Sequence, residues 1–193
     1  MTTSTPTTAP TTAPTPAGIR GLTLAQPWAE LVASRACLFA NRSYAPPESL
    51  PGCYVAIHAA KAFDDEAWLE TKALLVERGV TALPRLLARM PGSVPSGALE
   101  KYTRSSVAYG AIVAVARFGG CVTQSTLASL SPDQQPMFQG PYAWRLLGAQ
   151  RIASVPCRGG QGAWAVPAEV LDLVRSAWKL ARAEAKLHGR VSP

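Results

Sequence analysis

Leu22-Thr23-Leu24-Ala25-Gln26-Pro27-Trp28-Ala29-Glu30-Leu31-Val32 is the stretch that decides the fold. Gly21 to Leu24 is a short β-prone entry. Pro27 suits the first position of a helix, where its missing N–H leaves nothing unpaired. Trp28, Leu31 and Val32 then recur at helical spacing, which predicts a short helix over about 27–35.

Working outward, Cys37 to Tyr44 reads as extended, and Ala45-Pro46-Pro47 stops it. Cys53 to His58 is a strand, mostly apolar on both faces and therefore buried. Asp64-Asp65-Glu66 places three acids at a helix N-terminus, where the dipole favours them. Ala67, Leu69, Ala73, Leu74 and Val76 carry that helix to Gly79, a good terminator. Leu83 to Met90 predicts another short helix, and Pro91 to Gly97 a loop. Gly110 to Ala116 is a second buried strand that runs on towards Val122. Pro132 to Gly140 is polar and rich in turn residues. Tyr142–Leu147, Arg151–Val155 and Gly162–Val166 read as further strands. Pro167 opens a last helix that runs to about Lys186, with an apolar stripe of Val170, Leu171, Val174, Trp178 and Ala181. Arg175, Lys179, Arg182 and Lys186 form a basic ridge beside that stripe. The ridge is either a solvated face whose stems cover apolar edge or a phosphate-binding surface.

Five or six short strands interleaved irregularly with three or four helices predict an α+β fold, a small mixed β-barrel flanked by helices. No GxGxxG or GxxxxGK[ST] motif supports a nucleotide-cradling loop. At 193 residues the chain makes one domain, at most two. Its 48% hydrophobic and 16% charged residues exclude a largely disordered chain. No apolar run approaches the roughly 18–20 residues of a membrane span. Thr2 to Ala17 contains only Thr, Ser, Pro and Ala, so residues 1–18 read as a disordered tail. Residues 19–170 read as the barrel domain, and 171–193 as a C-terminal basic amphipathic helix packed on it with a frayed end. The tail lacks the basic start and apolar centre of an export signal, which predicts a cytoplasmic protein. Cys37, Cys53, Cys121 and Cys157 form no CxxC pair, and only His58 and His188 could supplement them. No metal site and no cofactor are expected. Free thiols packed as small hydrophobes fit that compartment, although an even count leaves pairing open. Lys and Arg number 19 against 12 acids, a net +7, which favours a polyanionic partner.

Several segments together resemble the ASCH (activating signal cointegrator homology) domain, a PUA-like family. Leu22 to Val32 is similar to its strand, Gln-Pro-Trp-Ala and short helix. Asn41-Arg42-Ser43-Tyr44 resembles its Glu-Asn-Arg-Ser-Trp, and Ala56 to Lys61 its Ile-His-Ala-Gly-Lys strand. Gly110 to Ala116 with Cys121-Val122 resembles a third family strand. Gly140 to Trp144, and Val155 to Gly159 with Trp164 to Pro167, resemble the C-terminal strands of bacterial and phage members. The resemblance covers about 21–170 and implies a β-barrel with peripheral helices and an RNA-binding cleft beside it. It also implies that a hydrolase of RNA or of acylated nucleosides is the alternative, because a few relatives are such enzymes. One departure stands out. The family signature is Gly-x-Lys-x-x-Glu-x-Arg. Anchored on Arg42, the chain has Arg35 for the Gly, Cys37 for the Lys and Ala40 for the Glu. Catalysis through that Lys is therefore not expected.

The candidate nucleic-acid-binding residues are Arg42, Lys61, Arg158, Gly159, Trp28, Asn41, Tyr142 and Trp144. Arg42 either forks two hydrogen bonds to a phosphate or base edge or holds the barrel mouth through a salt bridge. Lys61 is a phosphate contact or an exposed helix-entry lysine. Arg158-Gly159-Gly160 is a basic turn that offers side chain and backbone N–H groups, or a plain surface turn. Trp28, Tyr142 and Trp144 are stacking faces or core. Weaker catalytic candidates are Cys37 as a thiolate, His58 as a base and Lys61. For His58 the alternative is a core histidine bonded to backbone. The expected partner is RNA, single-stranded or structured, or a modified nucleoside. No membrane partner is expected, and the oligomeric state is open. A non-catalytic scaffold domain is the remaining reading.

Overall fold

The structure, a computed structural model, describes residues 18–77 and 107–187. The expected tail, the Leu83–Met90 helix, the Pro91–Gly97 loop, Gly79, His188 and Arg190 lie outside them. Six strands form one mixed sheet: β1 (Ile19–Gln26), β2 (Phe39–Arg42), β3 (Tyr54–Phe63), β4 (Ala111–Thr123), β5 (Tyr142–Pro156) and β6 (Ala163–Ala165). Their order is β2-β5-β4-β3-β1-β6. β1 and β3 pair in parallel, and every other pair is antiparallel. Three helices flank the sheet: α1 (Trp28–Ala33), α2 (Asp65–Glu77) and α3 (Ala168–Leu187).

The sheet curls into a half-barrel, and one bond proves the curl. β2 and β1 stand four strand positions apart, about 19 Å in a flat sheet. Yet the Arg42 Nη2 on β2 donates to the Thr23 carbonyl on β1 at 2.7 Å. No side chain spans a flat sheet of that width. The two edge strands β2 and β6 therefore face each other across an open seam.

Alternation along the strands sorts the core. Leu22, Leu24, Val55, Ile57, Trp144 and Leu146 share one buried cluster with Ala29 and Val32 of α1. Ala56, Ile112, Val115 and Ile152 form a second, covered by Val170, Leu171, Val174, Trp178 and Ala181 of α3. The apolar stripe of the last helix is thus its packing face. Fully burying a side chain such as Val174 contributes about 1.5–3 kcal/mol. A third cluster joins Leu31, Cys37 and Phe39 to Trp68 of α2.

The Gln-Pro-Trp-Ala-Glu stretch is explained by its polar partners. Gln26 is fully buried; its Oε1 accepts from the Glu30 N–H at 3.1 Å, and its Nε2 donates to the Ala108 carbonyl at 2.8 Å. The Glu30 carboxylate, buried within α1, pairs with Arg151 of β5. α1 is therefore clamped to the sheet by a side-chain cap at its start and an ion pair across it.

Element bounds differ from expectation in four places. The first helix is shorter, and extended structure after Cys37 is limited to Phe39–Arg42. The strand from Tyr54 runs through Lys61, so that lysine lies in β3 and not after it. The two predicted strands at 142–147 and 151–155 are one, because Gly148 adopts φ 59° and lets the chain bend without leaving the ladder. All four cysteines are free thiols. No described helix is long and apolar enough to cross a membrane.

Candidate functional site

The site is built where β6 stops. β6 pairs with β1 only as far as Leu22, and Thr23, one residue on, gives its carbonyl to Arg42 instead. The Arg42 guanidinium also lies over the Trp144 ring, 5.7 Å from its centroid. Among the described residues no carboxylate pairs with Arg42 or neutralises its charge. Its Nε is buried without a partner. Burial lowers its pKa, and the neighbouring Tyr44 partly counters this. An arginine starts high enough to remain a cation.

Tyr44 stands beside this group. Its ring meets Trp144 edge-on at 5.5 Å, its carbonyl accepts from the Trp144 indole N–H, and it is 45% exposed. Its hydroxyl approaches Gly162, on the turn before β6. Arg42 and Tyr44 thus bridge the seam between the edge strands, presenting a cation and an aromatic face together.

The side chain of Thr23 belongs to an adjoining cluster. Its Oγ1 accepts from the Trp164 indole N–H at 3.2 Å, and Trp164 meets His58 edge-on at 6.0 Å. Gly159 closes over both: a Cβ there would lie 2.5 Å from His58 Cε1 and 2.7 Å from Thr23 Oγ1. His58 is 3% exposed, and its Nε2 lies 3.1 Å from the Cys157 carbonyl. A carbonyl only accepts, so Nε2 carries the proton. Burial lowers the His58 pKa, outweighing the bond to Cys157. The ring is neutral at pH 7, and its unprotonated Nδ1 lies buried beneath Gly159 without a partner. A base needs its lone pair within reach of a substrate proton. His58 holds the 157–159 turn instead.

The remaining candidates separate. Arg158 is exposed, one residue before Gly159, and so borders the cluster that Thr23 ties to Arg42. Lys61 is exposed on β3, its stem along Gly110. Asn41 spends both ends of its amide on backbone, donating to Met137 and accepting from Gln139. Tyr142 pairs with Arg42 in the ladder and packs on the core. Trp144 is fully buried and is the floor beneath Arg42, with no face free for a base. Trp28 is half-buried between two core clusters.

Cys37 corrects one catalytic candidate. It is 1% exposed, its thiol donates to the Phe39 carbonyl, and burial pushes its pKa up to about 12. The thiolate that a nucleophile requires is absent at neutral pH. Arg35, where the signature has Gly, adopts φ 64°, the left-handed region that suits glycine. An arginine there costs roughly 1–2 kcal/mol of backbone strain, and its Nε donates to the Ala149 carbonyl at 2.6 Å.

Sequence reasoning missed Thr23, Tyr44 and Trp164 as members of the site. Tyr44 carried a signal, since it occupies the aromatic position after Asn41-Arg42-Ser43. Thr23 and Trp164 lie 141 residues apart and meet only because β1 pairs with β6. No group of three potential metal ligands occurs among the described residues.

No family model matches the chain, and no curated protein does. Among solved structures, the chain is similar to the S128A mutant of ZmASCH from Zymomonas mobilis. The two share 13% identity with a TM-score of 0.44, over 82% of this chain and 94% of that one.

Proposed function

We propose that this chain is an ASCH-type, PUA-like binding protein that takes RNA or a modified nucleoside at the barrel seam, and that it works without catalysis at that site. Residues 19–170 form the binding unit, and 171–193 supply a basic flank. One observation carries the reading: Arg42 is a half-buried cation with no carboxylate partner among the described residues, fixed by a backbone carbonyl and an indole beside the exposed ring of Tyr44. A guanidinium held in one orientation suits the planar edge of a base or a phosphate. An adjacent aromatic adds about 1–3 kcal/mol per stacked base. Arg158 extends the positive surface along the same side of β1, and Lys61 is a further exposed phosphate contact.

The test is binding of a labelled single-stranded RNA across a salt series. Affinity should fall linearly on logarithmic axes as salt rises, because contacted phosphates release counterions. A nucleoside ligand would bind with little salt dependence and would compete the RNA away. Absence of binding to both, at low salt, refutes the reading. Incubation with structured RNA or acetylated cytidine should leave both intact.

A further inference from the structure

The cations of α3 form a row. Arg175, Lys179, Arg182 and Lys186 follow at spacings of four, three and four, so they fall within about 60° of the helix circumference and run about 16 Å along it. Each of them is exposed. Arg175 is answered by Asp172. Glu184 lies about 160° around the helix from Arg182 and Lys186, away from the row. Among the described residues no carboxylate pairs with Lys179, Arg182 or Lys186.

Aromatic contacts tie the row to the sheet. The Arg182 guanidinium lies over the Trp178 ring, 5.4 Å from its centroid, and Trp178 meets Tyr54 of β3 edge-on at 4.8 Å. Tyr54 stands opposite Arg117 of β4, and opposite residues of a ladder share a face. Arg117 is exposed, so the sheet adds a cation to the side on which the row lies. The same face reaches the seam. Ile19, Gly21 and Thr23 alternate onto it, opposite Tyr54, Ala56 and His58. Thr23, whose carbonyl holds Arg42, is thus about 13 Å along β1 from Ile19, the residue paired with Tyr54.

We propose that the α3 row and Arg117 carry the phosphate backbone of the RNA whose base the seam holds, so that the ligand is a single-stranded RNA of several nucleotides and not a free nucleoside. This rests on the reading of the seam as an RNA site. A base held there beside Tyr44 is unpaired, so the chain that continues from it is a single strand. Cations recurring every 4.5–6 Å, roughly, along a helix give such a strand successive phosphate contacts without reading its sequence.

Two RNAs separate the row from the seam in a binding assay over a salt series. One is a dinucleotide, too short to reach from Arg42 to α3. The other is an unstructured RNA of about 16 nucleotides, the long end of single-strand site sizes. The wild type should bind the longer RNA at least about tenfold more tightly and with the steeper salt dependence. Lys179→Ala with Lys186→Ala should lower the logarithmic salt slope for the longer RNA by about 1.4, the loss of two single-strand phosphate contacts. Dinucleotide binding and the circular dichroism spectrum should be unchanged, since alanine favours the helix. Lys179→Arg with Lys186→Arg should retain the slope. Equal affinity of the wild type for the two RNAs, or a wild-type slope in the double alanine variant, overturns the proposal and leaves the seam standing. So does a double alanine variant that loses binding to vesicles of anionic phospholipid but keeps its RNA slope. No binding of either RNA overturns both readings.

Discussion

Arg151 and Arg42 are both partly buried arginines on strands of one sheet, and each leaves its Nε buried without a partner. They differ in what answers the charge. Arg151 meets the Glu30 carboxylate, so the pair closes on itself and holds α1 to β5. Arg42 meets a carbonyl and an indole, which orient it without neutralising it. A paired cation is part of the scaffold. An oriented, unneutralised one at an open seam is available to an anion from outside. Arg175, on the last helix, is paired like Arg151, with Asp172 as its carboxylate.

The contrast can be broken first on the structural side. Glu30→Gln leaves Arg151 without its carboxylate and should cost about 2–4 kcal/mol, reduced from the fully buried case because Arg151 retains some access to water. Urea unfolding reads this directly. RNA affinity at low denaturant should stay at the wild-type value.

Gly159→Ala should come next in size. The added methyl meets the His58 ring and the Thr23 hydroxyl, and such overpacking costs about 1–3 kcal/mol. A lowered melting temperature with weaker RNA binding would tie the turn to the seam. An unchanged melting temperature would remove Gly159 from the packing.

The fold was legible from the sequence wherever period and punctuation agreed. The apolar runs at Cys53–His58 and Gly110–Ala116 became the adjacent strands β3 and β4, and the stripe of the last helix became its packing face. The break predicted between Leu147 and Arg151 did not occur, because one glycine absorbs a bend inside a strand as readily as it ends one. The site was half legible. Arg42 stood out by its motif, but its partners depend on curl: Thr23 lies across the seam, and no local pattern records which edges a sheet brings together. The same limit made Trp144 readable as a stacking face, when its burial is set by Phe118 and Tyr44 from other elements.

A smaller effect concerns pH. The folded protein holds the His58 pKa below 6.5, the value an unfolded chain restores. Between the two, the unfolded state binds more protons, so stability rises with pH through that window and is complete above about 6.5. As pH falls through the window the contribution is lost. Denaturant midpoints from pH 5 to 7 should show this slope, and His58→Gln, which retains a donor for Cys157, should flatten it. Cys37→Ala should have the least consequence, about 1 kcal/mol or less from a small cavity, with RNA affinity unaltered.

The most direct test compares Arg42→Ala and Arg42→Lys with the wild type in the RNA salt series. Arg42→Ala should lose at least about tenfold in affinity and reduce the salt slope by about one contact, while stability falls by only about 1 kcal/mol for the lost bond to Thr23. Arg42→Lys retains the charge but not the planar fork, and should recover the slope without the full affinity. Wild-type affinity and slope in Arg42→Ala would contradict the assignment of the seam as the binding site.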